Sequence, residues 1–328
     1  MPASILIGID LGGTKTEVVA IDAAAGAGDR SLPPPRFRHR APTPQSDYAG
    51  TVRLIAELAA AAAAACPRSQ VAGIGVGTPG SRSRATGLMK NSNSRVLNGQ
   101  PLLDDVVALI GRPVVMANDA NCFALAEARW GAGRGAAAVV AGVILGTGMG
   151  GGIVVGGRVI EGPQGIAGEW GHLSIDPAGP DCYCGQRGCL ETYLSGSGMA
   201  RRFRAMTHVE LAAKEIWNAA AISDHPHQVA CARACDDYIE WFGRGMASIL
   251  NVLDPDVVVL GGGLSQVERL YTEGRERVRA YLFSDELTTP IVPPALGDAA
   301  GVFGAALFAA GPPSRPSPPS PGIEGRGP

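Results

Sequence analysis

Cys182, Cys184 and Cys189 are separated by one and four residues in a glycine-rich segment, with His172 ten residues upstream of the first. Thiolates and an imidazole at that spacing supply a tetrahedral Cys3His set for zinc. Asp181, Gly185, Gln186, Arg187 and Gly188 around them are not core residues, so three merely buried thiols do not explain the pattern. Four protein ligands leave no position for a substrate water, and the predicted Zn²⁺ is therefore structural. It would pin Glu169 and Glu191, one on each flank, as hydrogen-bond acceptors for the hydroxyls of a substrate.

A second candidate for chemistry is Asn118-Asp119, where the β-rich run Pro113 to Ala117 hands over to an apolar-periodic segment ending at Trp130. A carboxylate at a strand-to-helix junction is aimed outward by both elements and can meet a substrate in a cleft, so Asp119 is read as a catalytic base. Either residue also makes an ordinary helix N-cap, which is the stronger explanation of an isolated Asn-Asp pair. The rest of the chain has to decide.

Two glycine turns point to phosphate. Ile5 to Ile9 and Thr16 to Ile21 are β-type runs joined through Asp10-Leu-Gly12-Gly13-Thr14-Lys15, which reads as a hairpin. The segment nearly spells a P-loop, but Thr14 intervenes between Gly13 and Lys15 and no helix follows. Its backbone N–H groups, with Thr14 or Thr16, can still face phosphate oxygens, and Lys15 either adds a charge or is a solvated turn lysine. The same design recurs at Ala137 to Leu145, Gly146-Thr147-Gly148 and Ile153 to Val155. Two related halves, each supplying one phosphate-grasping turn to a shared cleft, suit a nucleoside triphosphate; chance recurrence in a glycine-rich chain is the alternative. A third glycine cluster, Gly261-Gly262-Gly263, ends the buried strand Val257 to Leu260 and is placed at the adenine and ribose, or is a plain turn. Asn91 and Asn93 lie in a polar loop, where their amides can meet substrate hydroxyls or act as ordinary turn residues.

These groups must be positioned by more than one core. At 328 residues, two domains with a ligand cleft between them are expected. A formal charge of -2 offers no basic surface for nucleic acid and no polybasic membrane patch. The chain opens without a basic, apolar and cleavable leader, and the alanine-rich run after Leu58 is predicted to be a helix lying on a sheet, so a cytoplasmic protein is expected. Seven cysteines without an export signal argue for thiols or metal and against disulfides; Cys66, Cys122, Cys231 and Cys235 are assigned no chemistry. The stretch Ala25 to Pro44 reads as an irregular connection, and Ile239 to Leu253 as a helix stopped at Asp254-Pro255. The Pro/Ser-rich tail 312–328 cannot bury a core and is expected to be disordered. Its Ile323-Glu-Gly-Arg326 also resembles a protease site of expression vectors.

Taken together, Asp10-Leu-Gly-Gly-Thr-Lys15, Asn118-Asp119, Gly146-Thr-Gly148, Ala167-Gly-Glu169-x-Gly-His172, the cysteine knuckle and Gly261-Gly-Gly263 resemble the ROK family of sugar kinases and repressors, over about Ile5 to Leu307. Thr16-Glu-Val, Asn91-x-Asn93-Ser, Leu97-Asn-Gly-Gln-Pro101 and Ile249 to Asp256 are most similar to its bacterial fructokinase branch, which usually has tryptophan at the position of Val96.

The resemblance implies a two-domain α/β actin-like ATPase (ribonuclease H-like) fold. Its small domain would be 1–117, completed by a C-terminal helix 298–311, and its large domain 118–297 with the knuckle at 172–191. It implies ATP-dependent phosphorylation of a hexose at the 6-hydroxyl, fructose first, with glucose or an N-acetylhexosamine as alternatives. Asp119 would be the base. Asp10 would hold Mg²⁺, and Asn93, Asn118, Glu169, His172 and Glu191 would hold the sugar. Gly12, Gly13, Thr14, Lys15, Gly146, Thr147, Gly148, Gly261, Gly262 and Gly263 would hold ATP. A homodimer is also implied. A family repressor needs a DNA-binding helix-turn-helix ahead of the first hairpin, and only four residues precede Ile5; a non-catalytic sugar sensor is disfavoured by Asp10 and Asp119.

Overall fold

The computed structural model describes residues 3–26, 31–135 and 138–311. The predicted tail 312–328, residue 137 at the start of the second predicted hairpin and residues 27–30 of the predicted connection lie outside the described residues.

Strands β1 (Ala3–Leu11) and β2 (Lys15–Asp22) form the expected hairpin, with Asp10 opposite Glu17. Alternate apolar residues of β1, Ile5, Ile7 and Ile9, are fully buried. The predicted irregular connection is in part a strand, β3 (Phe37–Pro42), antiparallel to β2 at the sheet edge. Its Arg38 and Arg40 both donate to the buried carboxylate of Glu17 on β2. Charged residues on an edge strand hide its period from a sequence reading.

Helix α1 (Tyr48–Ala65) starts at Asp47, whose carboxylate accepts the Gly50 N–H. It is long and apolar enough to cross a membrane, but it lays Val52, Ile55, Leu58, Ala59 and Ala62 into the core of the first sheet, as predicted. Burying a side chain such as Ile55 contributes roughly 1.5–3 kcal/mol. Then come β4 (Ser69–Thr78), parallel to β1, a small hairpin of β5 (Ser81–Arg82) and β6 (Met89–Lys90), α2 (Leu102–Ile110), and β7 (Val115–Asn118), parallel to β4.

The second half opens with α3 (Asp119–Trp130) and the antiparallel run β8 (Val139–Leu145), β9 (Met149–Val155) and β10 (Arg158–Val159). Helices α4 (Leu190–Leu194), α5 (Gly196–Thr207), α6 (Ala213–Ala220) and α7 (Gln228–Leu253) follow. Strand β11 (Val257–Gly261) then pairs parallel with β8, α8 (Glu273–Tyr281) leads to β12 (Ile291–Val292), parallel to β11, and α9 (Ala300–Ala309) closes the fold.

The first sheet has order β3-β2-β1-β4-β7 and the second β10-β9-β8-β11-β12. Both have two antiparallel pairings followed by two parallel ones, which is the related-halves architecture expected of the actin-like ATPase fold. Helix α9 lies on the first sheet at backbone contact: a Cβ on Gly75 would stand 1.9 Å from the Ala305 carbonyl oxygen, and one on Gly8 would stand 2.2 Å from that of Val302. On its other side Gly304 meets the Cys122 carbonyl of α3 just as closely. The buried carboxylate of Glu127 on α3 accepts the N–H groups of Ala132, Ala295 and Leu296, which fixes the entry to α9 against α3.

Candidate active site

The carboxyl ends of the parallel strands β1, β4 and β7 converge, the usual place for a ligand in an α/β sheet. Asp10 on β1 is in register with Gly77 on β4, and Thr78 with Asn118 on β7. Asp119 begins the next helix, so both aspartates stand at the carboxyl ends of these strands. Burial, followed by the charges of Asp119 and Glu17, pushes the Asp10 carboxyl up to about 7, against the pull of Lys15 and Arg40. Burial raises Asp119 to about 6, with Glu169 adding to the rise and the Ala120 N–H opposing it. Behind them Cys122 is buried, and burial together with both carboxylates raises its thiol well above the ordinary range, so it stays neutral.

Both explanations of the Asn-Asp pair hold, one for each residue. Asn118 is the N-cap of α3, its Oδ1 accepting the Ala120 N–H at 2.9 Å, and its Nδ2 donates to the Gly80 carbonyl at 3.0 Å. Its amide is thus committed to fixing the strand-helix junction, and only its spare valences are left for the expected sugar contact. Asp119 carries the charge toward Asp10 and Glu169.

Each glycine turn is tied from behind through its carbonyls. Thr43, just after β3, donates its hydroxyl to the Gly12 carbonyl and its N–H to that of Thr14. At the second turn, Gly196 N–H donates to the Gly146 carbonyl and the Ser197 hydroxyl to that of Thr147. Gly13 and Thr14 are exposed at the first turn. Thr16, offered as an alternative phosphate ligand, is fully buried and hydrogen-bonded to Thr43. Lys15, expected at phosphate, has its ammonium bridged to Asp298, just before α9, at 3.1 Å. The triglycine divides as well. Gly261 is packed under the Phe123 ring, where a Cβ would stand 2.5 Å from it. Gly262, at φ +80°, presses on the Leu145 carbonyl beside the second turn, and Gly263 is open.

The four side chains expected to bind zinc come together in the fold. Ligand atoms of His172, Cys182, Cys184 and Cys189 all lie within 4.8 Å of one another. Cys184 and Cys189 Sγ are 3.6 Å apart, as are Cys182 Sγ and His172 Nδ1. Thiolates about 2.3 Å from a common tetrahedral ion stand roughly 3.8 Å from each other, so the set fits zinc. Burial and the neighbouring thiols raise Cys189 to about 12, which a bound cation would offset. The loop carrying Glu169 and His172 lies flush on β9, because Cβ atoms on Gly168 or Gly171 would collide with the carbonyls of Gly151 or Met149 at 2.5 and 2.3 Å. Glu169 is held above its usual range by burial and by Glu191, with His172 and Lys90 opposing. Glu191 anchors itself to β9 by accepting the Met149 N–H at 2.9 Å through one carboxylate oxygen. Asn93 is exposed in the loop after β6, and Val96 packs against the first sheet's core.

The ROK family model matches residues 6–311. The chain belongs to the ROK family. It is similar to an N-acetyl-D-glucosamine kinase from Histophilus somni, 35% identical over 314 residues, covering 92% of this chain and 97% of that one. Among solved structures it is similar to a ROK hexokinase from Thermus thermophilus, at 33% identity, TM-score 0.80 and coverage of 93% and 97%. A second is a ROK glucokinase from Streptomyces griseus solved with glucose and AMPPNP, at 29% identity, TM-score 0.72 and coverage of 93% and 99%. The expected likeness to the fructokinase branch is not what these relatives show; they support the family and the fold, and their names carry an amino sugar, hexose and glucose. Within this ROK chain, Thr43, Ser197, Glu127 and Tyr183 are the site-shaping residues that motif reading passed over. Tyr183 alone left a signal, since it sits inside the knuckle.

Proposed function

We propose that this chain is an ATP-dependent hexose kinase that phosphorylates the sugar 6-hydroxyl, with Asp119 as general base. The observation that carries the reading is the half-buried Asp119 at the start of α3, its carboxyl raised to about 6 beside the charge of Glu169 and itself raising Asp10. A carboxylate with a pKa near 6 is ionised at neutral pH yet basic enough to take a hydroxyl proton as the oxygen attacks phosphorus. Phosphoryl transfer otherwise needs alignment and charge neutralisation. The two tied turns would present the triphosphate. Asp10 would hold Mg²⁺, which neutralises phosphate charge when bound; its own carboxyl, raised toward neutrality beside Asp119 and Glu17, is the chemistry a divalent cation relieves. Zinc on the knuckle would keep His172 and Glu191 in place without entering the reaction.

Sugar choice has two readings. The Histophilus relative and the alternative weighed from sequence favour an N-acetylhexosamine. Fructose is favoured by the loop Asn91-x-Asn93-Ser and by Leu97-Asn-Gly-Gln-Pro101. ADP release measured with N-acetylglucosamine, N-acetylgalactosamine, glucose, mannose and fructose tests both. A clear preference within the panel places the substrate, and no turnover with any of them by folded, zinc-loaded protein would refute the kinase reading.

A further inference from the structure

The face of the first sheet under α9 is made mostly of glycine. Side chains alternate along a strand, so Leu6, Gly8 and Asp10 of β1 share one face, and Gly73, Gly75 and Gly77 of β4 stand beside them in register. Helix α9 runs along this track by its backbone: a Cβ on Gly73 would stand 2.2 Å from the Ala309 carbonyl oxygen, a contact as close as those at Gly8 and Gly75. The track ends at Asp10. There the first turn of α9 brings Gly301 against the carboxylate, where a Cβ would stand 2.6 Å from Asp10 Oδ2, 2.9 Å from Cγ and 3.2 Å from Oδ1. On the other side of the carboxylate is Gly77, whose Cβ would stand 3.5 Å from Oδ1.

Nothing in the backbone at 301 calls for glycine. The residue lies inside α9 and is not in the left-handed region, and glycine in a helix is less favourable than alanine. What its missing side chain leaves room for is the Asp10 carboxylate. Nor can α9 withdraw to admit a methyl group, because the sheet holds it at Gly8, Gly73 and Gly75, and on its far side Gly304 meets the Cys122 carbonyl, 1.9 Å from where a Cβ would stand. Nonbonded atoms settle at about 3.5 Å, so a methyl at 301 would displace the carboxylate by roughly 1 Å.

We propose that Gly301 is a positioning residue: its bare α-carbon, on a helix locked to the glycine track, fixes where the Asp10 carboxylate stands to receive the divalent cation of phosphoryl transfer. This rests on the assignment of Mg²⁺ to Asp10 made above and adds the group that aims that ligand.

Wild type, Gly301→Ala, Asp10→Ala and the double variant test it. With Asp10 in place the added methyl meets the carboxylate, and Gly301→Ala should lower Tm; in the Asp10→Ala background the obstruction is gone, and alanine in the helix should raise Tm. Calorimetry with ADP reads the metal. Gly301→Ala should bind MgADP roughly tenfold more weakly than wild type and metal-free ADP equally well, with kcat lowered roughly 10- to 100-fold and the sugar Kd unchanged, the effect of a ligand misplaced by about 1 Å. The same Tm change in both backgrounds, or MgADP binding and kcat unmoved in folded Gly301→Ala, overturns the role of Gly301 and leaves the kinase reading standing. If Gly301→Ala does not fold, the double variant should, and its failure to fold overturns the assignment as well. Wild type inactive on every sugar of the panel would instead bring down the kinase reading and this inference together.

Discussion

Replacing Asp119 by Asn should make the protein more stable while removing its catalytic base. In the fold the Asp119 carboxyl is raised from its ordinary 3.8 to about 6, mostly by burial. That difference corresponds to about 3 kcal/mol between the charged and neutral forms, at 1.36 kcal/mol for each pKa unit. Because the folded-state value lies above the unfolded one, the folded protein binds the proton more tightly. The ionised carboxylate therefore costs stability at all pH values well above 6. The cost shrinks as pH falls through 6 and is gone below about 3.8. Asn keeps an acceptor for the Ala120 N–H but carries no charge, so it avoids the cost. It also relieves Asp10, whose raised value owes part to Asp119.

Thermal and urea unfolding in magnesium-free buffer should thus show Asp119→Asn more stable at pH 8 by up to about 3 kcal/mol, with a Tm several degrees higher. The gap should narrow in acid. A variant equally or less stable at pH 8, or a gap independent of pH, would refute the burial argument.

Two further outcomes follow from the same geometry. Thr43→Val removes the hydroxyl that holds the Gly12 carbonyl and leaves the buried Thr16 hydroxyl without that partner. At about 1 to 1.5 kcal/mol for a lost hydrogen bond, KM for ATP should rise roughly tenfold with KM for the sugar unchanged, as read by steady-state kinetics with each substrate varied in turn. Cys184→Ser should lose the metal and, through the displaced His172 and Glu191, at least about tenfold in kcat/KM; elemental analysis alongside the assay checks it, and a metal-free variant of full activity would exclude a structural zinc.

Local features of this fold were legible in the sequence. A glycine turn between two β-type runs specifies a hairpin without outside help, and both hairpins are present. Candidate zinc ligands from one short segment report their own spacing, and these four side chains come together. What sequence could not show came from distant partners. Lys15 looked free for phosphate until folding set Asp298 beside it, 283 residues on. Strand β3 was hidden because its arginines face a buried glutamate on the neighbouring strand, not a solvated turn. Glu127 closes onto Ala295 and Leu296, 168 and 169 residues on, and nothing in its own neighbourhood marks it as a clamp. Gly261 read as a ligand contact because a triglycine after a strand suits one, whereas its missing side chain makes room for Phe123. The branch is a different matter: loop resemblance carries the family, while the relatives are named for an amino sugar, a hexose and glucose and not for fructose.

The central claim is that Asp119 takes the proton from the sugar 6-hydroxyl. It is tested most directly by measuring, for Asp119→Asn, both kcat for ADP release and the Kd for the preferred sugar. The account predicts a kcat lowered by roughly 10²-fold or more, the range for general base catalysis, with sugar affinity within a few-fold of wild type. Substantial turnover by the variant, or a loss confined to sugar binding, would contradict it.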